Sequence, residues 1–249
     1  MKMNIVINAD DFGWNESCSK AILEAFEKDF ITTSTAVANG AYFEEAVRKI
    51  KGTPYEKQIG IHLNLTEGVP LTKDIQKDPF FCDETGMFHM GFPRYQKLNA
   101  ARRRMVYEEL TAQVEKYLKT GLSCHHVDSH HHIHTAPYIT PIVLKVMQEH
   151  DLKGLRLHRN IGAISHWKLA IKNLYNRMLK RKGLAYSDYF GSFDDLESCP
   201  ELGDKTLEIM CHPDFTKAGV LIDRSGAAEY DDPYGKAISD CVKKLYKKD

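Results

Sequence analysis

The chain has 249 residues, 43% hydrophobic and 27% charged, an ordinary globular composition. With 34 basic and 34 acidic residues the formal net charge is zero, so bulk charge points to no nucleic-acid or membrane partner. The length suits one α/β barrel domain, and no stretch approaches the ~20 apolar residues of a membrane-crossing helix.

In chain order, Met1-Lys2-Met3-Asn4-Ile5-Val6-Ile7-Asn8 is too short an apolar run for an export signal and enters a strand at Ile5. Ala21, Ile22, Ala25 and Phe26 predict a helix over 17–28, and β-branched residues predict a strand over 32–37. Phe43, Ala46, Val47 and Ile50 mark a second helix, and Ile61, Leu63 and Leu65 alternate in a strand over 59–65. Residues 66–98 hold Gly68, Pro70, Pro79, Gly86, Gly91 and Pro93 and read as a long loop or insertion. Its Phe80, Phe81, Phe88 and Phe92 either cover a sugar ring or pack the loop down.

Val106, Leu110, Val114 and Tyr117 predict a long helix. Strands follow at 125–127, 155–157 and 206–211, with helices at 141–149, around Trp167, Ile171, Leu174 and Met178, and around Ile238, Cys241, Val242 and Leu245. Alternating strands and helices predict a parallel sheet with helices outside, in one domain spanning 1–249.

Basic runs at Arg102-Arg103-Arg104 and Lys180-Arg181-Lys182, with Lys168, Lys172 and Arg177 before the latter, read as solvated helix faces. The sharper alternative is an anion site for a phosphorylated substrate. Cys18, Cys82, Cys124, Cys199, Cys211 and Cys241 form no C-x-x-C pair, so free thiols in a reducing cytoplasm are expected.

Four polar strings lie at the carboxyl ends of expected strands: Asn8-Ala9-Asp10-Asp11-Phe12-Gly13, Gly60-Ile61-His62-Leu63-Asn64, His126-Val127-Asp128-Ser129-His130-His131-His132-Ile133-His134, and Met210-Cys211-His212-Pro213-Asp214. That edge is where α/β folds build active sites. Adjacent aspartates point different ways, so one can bind metal while the other works as a base. Five of the 12 histidines fall within His126–His134, and imidazole is the commonest metal ligand near neutral pH. His130 and His134 would share a face if the segment coils. Asp128 is a candidate to orient an imidazole through its second nitrogen, and Asp214 is a candidate to tune His212.

These strings, in this order and over nearly the whole chain, resemble the YdjC-like carbohydrate deacetylases. The resemblance implies a deformed (β/α) barrel related to the polysaccharide deacetylases, with mostly parallel strands and outer helices. It implies removal of N-acetyl groups from chitooligosaccharides such as diacetylchitobiose, sometimes as the 6-phosphate. It further implies Asp11, His62 and His130 as metal ligands, Asp10 as general base and His212 as general acid. His132, His134 and Arg156 are the substrate-binding candidates.

Mg²⁺ is the ion implied by the family, whereas two imidazoles favour a Zn²⁺-like ion. Two departures stand out. The related deacetylases take both histidines from one H-x-x-x-H string, and a small residue is expected where Asp214 follows His-Pro. His212, from a late strand, is expected to approach substrate opposite the base. Competing functions are a metal-dependent phosphoesterase and a non-catalytic sugar-binding relative. The expected partner is a small-molecule or oligosaccharide substrate, with no nucleic acid and no membrane, and a homodimer as the assembly considered.

Overall fold

The computed structural model describes residues 4–224 and 236–246; the first three residues of the N-terminal reading, Met1-Lys2-Met3, lie outside them. Strands are β1 (Ile5–Phe12), β2 (Thr33–Ala36), β3 (Ile59–Leu63), β4 (His126–Ser129), β5 (Gly154–Leu155), β6 (Tyr189–Ser192), β7 (Leu207–Cys211), β8 (Pro213–Phe215), β9 (Leu221–Asp223) and β10 (Lys236–Ala237). Helices are α1 (Glu16–Glu27), α2 (Phe43–Ile50), α3 (Lys73–Gln76), α4 (Ala100–Lys119), α5 (Thr140–Glu149), α6 (His166–Arg181) and α7 (Ile238–Tyr246). The first seven strands hydrogen-bond in the order β5-β4-β3-β2-β1-β7-β6, the parallel α/β class expected from the alternation. Contacts cluster in two compact units, one of residues 1–12, 16–34 and 154–249, the other of 13–15 and 35–153.

In the first unit β7 lies between β1 and β6. Both pairings are parallel, with Ile5 opposite Leu207, Ala9 opposite Cys211 and Tyr189 opposite Leu207. α1 buries Ala21, Ile22, Ala25 and Phe26, the expected stripe. An antiparallel ribbon of β8, β9 and β10 follows β7, an element the sequence reading lacks. α6 departs from expectation: Asn176 and Leu179 are its buried residues, and the Trp167–Ile171–Leu174 stripe faces outward.

In the second unit β3 and β4 are parallel, with His62 opposite Asp128. Every residue of β3 is buried, so its apparent alternation does not mark a wet face. Gly60 is required there, because a Cβ would stand 2.3 Å from the His126 carbonyl oxygen. α2 buries Phe43, Ala46, Val47 and Ile50, with Glu44 and Glu45 in its first turn and Arg48 and Lys49 in its last, matching the helix dipole. α4 starts on Asn99, whose side chain accepts from the Arg102 amide.

Residues 66–98 are more ordered than a bare loop. They contain α3 and a bridge between Cys82 and Phe88. Buried Glu109 of α4 accepts from the amides of Leu71 and Thr72 and from the Thr72 hydroxyl, at 2.7–3.0 Å. Phe81, Phe88 and Phe92 are buried, so packing accounts for three of the four phenylalanines. Arg102 forks onto Asp78 and stacks on Phe80, which ties this segment to α4 as well.

Candidate active site

The first unit places Asp10 and His212 on neighbouring strand ends. Asp10 lies near the carboxyl end of β1, and its side chain is 2% exposed. Arg156 donates Nη1 to Oδ2 at 2.6 Å and Nη2 to Oδ1 at 2.7 Å, and the Asn8 amide adds a bond to Oδ1 at 2.9 Å. The third arm of Arg156, Nε, reaches Glu208 of β7 at 2.7 Å. Arg156 is wholly buried, and its guanidinium lies over the Phe190 ring. A bidentate guanidinium fixes both position and rotation of a carboxylate. The expectation that Arg156 contacts substrate therefore gives way to a role in holding Asp10.

His212 follows β7 and is about one-third exposed, with Nε2 3.9 Å from Asp10 Oδ2. Pairing of β1 with β7 puts the two side by side, not on opposite sides as the late position in sequence suggests. The His212 amide donates to Asp223 of β9 at 2.8 Å, which ties the residue to the ribbon. Asp214 is buried, and its two oxygens take the Ser17 hydroxyl at 2.5 Å and Arg224 Nη1 at 3.1 Å. Asp11 has φ 72°, a left-handed conformation that Asp tolerates better than most residues.

The second unit holds His62 and the clustered histidines of 126–134. His62 is buried within β3, and its Nδ1 lies 2.7 Å from Asp128 Oδ1 on β4 and 3.2 Å from Thr35 Oγ1. Thr35 also donates to Asp128 Oδ2 at 3.0 Å. An ionised carboxylate can only accept, so Nδ1 is the donor of this bond. Carboxylate-anchored imidazoles of this kind are how metal-binding histidines are oriented.

His130 opens a tight 3-10 turn over His130–Thr135. Its ring centroid lies 5.6 Å from that of His62, edge to face, and it stacks on Trp14 at 5.5 Å. Its Nε2 is 3.2 Å from Glu67 Oε2. Glu67, His130 and His131 form a donor set whose ligand atoms lie within 4.8 Å of one another. The acidic and histidine groups of this protein can thus hold a metal ion.

His131 and His132 have φ of 49° and 54°, so the segment does not coil regularly and His130 and His134 do not share a helical face. His134 is buried, with Nδ1 2.5 Å from the Ser129 hydroxyl. Arg94 of the 66–98 segment donates to the His131 carbonyl at 2.9 Å.

Sequence reasoning misses Glu67, Thr35, Trp14 and Glu208. Glu208 is a lone charge inside an apolar strand, Leu207-Glu208-Ile209, and Arg156 likewise stands between two leucines. Such a charge must be paired when buried, and that is the signal available.

The family model for YdjC-like protein matches residues 4–239. A carbohydrate deacetylase of Brevibacillus brevis is 38% identical over 234 residues, covering 91% of this chain and 88% of the relative. One of Geobacillus stearothermophilus is 33% identical over 211 residues, covering 84% and 79%. A crystal structure from Enterococcus faecalis V583, named for cellobiose-phosphate cleavage, superposes with a TM-score of 0.73 at 24% identity. It covers all of this chain and 94% of that one, which establishes the fold alone.

Proposed function

Since the chain belongs to the YdjC-like protein family, we propose that it is a metal-dependent carbohydrate deacetylase removing N-acetyl groups from acetylated amino sugars. The observation that carries the metal dependence is His62, whose Nδ1 is anchored by buried Asp128 in the way that orients metal-binding imidazoles. Chitooligosaccharides such as diacetylchitobiose, free or as the 6-phosphate, are the proposed substrates, and the cytoplasm is the proposed compartment. Six free cysteines fit a reducing one.

The residues that would hold the ion are Asp11, His62 and His130, a donor set of one carboxylate and two imidazoles. Three protein ligands leave positions for water and substrate. Mg²⁺ is the ion of the family resemblance, and two imidazoles favour Zn²⁺. A bound divalent ion supplies Lewis-acid polarisation of the acetyl carbonyl and acidifies water.

Asp10 takes the proton of the attacking water, and its fixed orientation comes from Arg156. His212 gives a proton to the departing nitrogen, which is too basic to leave as an anion. Attacking oxygen and leaving nitrogen are bonded to the same carbon in the tetrahedral species. A base and an acid standing 3.9 Å apart can therefore serve both. His132 remains the candidate for contact with the sugar, and the 66–98 segment, joined to the histidine turn through Arg94, the candidate cover.

The test is acetate release from a panel of N-acetylated sugars, with and without a chelator. Acetate released and abolished by chelation is the expected result. Phosphate release without acetate would make the protein a phosphoesterase, and binding without turnover a sugar-binding relative. Asp10→Asn should retain metal and lose ~10²–10⁴-fold in rate, whereas Asp11→Asn should lose both.

A further inference from the structure

Helix α6 carries Trp167, Ile171, Leu174 and Met178 at spacings of four, three and four, one continuous stripe. Such a stripe ordinarily faces the core. Here Trp167 is 64% exposed, Ile171 53% and Leu174 63%. The opposite face does the packing, through Asn176 and Leu179. Asn176 bonds both backbone groups of His158 at 2.9 Å, so the orientation of the helix is fixed by specific contacts.

The charge on this helix is one-sided. His166–Arg181 contains Lys168, Lys172, Arg177, Lys180 and Arg181, with Lys182 next, and no acidic residue. The whole chain is neutral, so this is a local surplus. Lys172 is held below the usual lysine range by burial and then by the nearby charges of Arg159 and Lys168, which reports the same crowding. Lys180 pairs with Asp188. Leu174, Arg177, Met178, Arg181 and Lys182 line one shallow hollow, so apolar and cationic groups alternate on the surface itself.

Three occupants can be compared. A second copy of the chain in a twofold interface would set this basic helix against itself, because such an interface is self-complementary. A nucleic acid would satisfy the cations and could stack on Trp167, but it has nothing for Ile171, Leu174 and Met178. An anionic lipid surface satisfies both sets. Trp and aliphatic side chains enter the headgroup–acyl boundary, while Lys and Arg reach outward to the phosphates.

We propose that α6 is an interfacial helix that docks this protein on an anionic phospholipid surface. This is surface binding, not crossing: no helix among the described residues is long and apolar enough to cross a membrane. It amends the expectation of no membrane partner, which rested on bulk charge.

The experiment is co-sedimentation of the full chain with vesicles of phosphatidylcholine alone and of phosphatidylcholine mixed with phosphatidylglycerol. Binding to the mixed vesicles and not to the neutral ones is expected, weakening with salt. Arg177→Gln and Arg181→Gln should each weaken binding about fivefold. Ile171→Ser with Leu174→Ser should abolish it. Trp167 fluorescence should shift to the blue on mixed vesicles and lose that shift in Trp167→Phe. None of these variants should alter the melting temperature or acetate release, which separates lost docking from lost folding.

Absence of sedimentation with mixed vesicles, or equal binding to neutral ones, would overturn the proposal. So would a wild-type dimer in analytical ultracentrifugation that Leu174→Asp splits, since the face would then belong to a second copy. Tighter retention by single-stranded oligonucleotide than by mixed vesicles would assign the helix to nucleic acid instead.

Discussion

Asp10 and His62 are both buried polar groups at strand ends, and each is held by a buried partner of opposite kind. The outcomes differ. Arg156 engages both oxygens of Asp10 and continues to Glu208, so that region is a nearly closed ionic cluster. Asp128 engages Nδ1, one of the two ring nitrogens of His62. Anchoring is common to both, and what a group can then do depends on the valence its anchor leaves over. A carboxylate gripped at both oxygens is fixed in place and rotation, whereas an imidazole held through one ring nitrogen is held in the way that orients metal-binding histidines.

The comparison breaks most sharply if Arg156 is removed. Arg156→Met leaves two buried carboxylates without their cation, and breaking a buried pair costs about 3–5 kcal/mol. For a chain of this size the melting temperature should fall by about 10 °C, measured by calorimetry. Adding Glu208→Gln should recover part of the loss. An unchanged melting temperature would mean that Arg156 is not the compensating charge.

A half-buried imidazole sharpens the contrast, because it packs against a ring and lies near a cation instead of a carboxylate. His158 stacks on Tyr175 at 4.9 Å, and burial, then the Lys172 charge, lower its pKa from 6.5 to about 4. Between pH 6.5 and 4 the unfolded chain binds a proton that the folded chain refuses. Stability therefore falls as pH drops through this window and levels off below it. The full shift corresponds to at most about 3 kcal/mol, less what solvent reaching the ring returns. Denaturant midpoints measured across this window should fall more steeply for the wild type than for His158→Phe.

Asp128→Asn tests the one-sided anchor. Loss of such a partner typically costs 10–100-fold in metal affinity, readable by titration calorimetry with Zn²⁺ or Mg²⁺. Full affinity in that variant would show that Asp128 supports the strand pair and not the ligand. The smallest effect is expected at Glu67, which is half-buried beside His130. Glu67→Gln should change stability by less than about 1 kcal/mol, as partly exposed pairs do. A large loss would promote Glu67 from neighbour to ligand.

Much of the fold was legible because period and punctuation agree with burial. The stripes of α1, α2 and α4 all turn inward as their spacing implies. In α6 the spacing is equally good and the stripe is wet. Periodicity tells which face is apolar and says nothing about what covers it. β6 and the β8–β10 ribbon escape because three of these four strands have at most three residues and β6 carries a glycine, too little for any pattern to emerge. At the site, the residue types were readable in the motif strings, but the couplings were not. Arg156 meets Asp10 across 146 positions and Glu208 across 52, and no local signal spans such distances.

Asp11, His131 and His132 stand in left-handed backbone. Glycine would relax each of these positions, and asparagine would suit them about as well as the residues present. Directed evolution for heat resistance alone should therefore draw glycine into positions 131 and 132 and strip imidazoles from the turn. Retention of histidine there under purely thermal selection would be a surprise. Selection for turnover should hold them in place, so the two regimes would leave recognisably different sequences at positions 131 and 132.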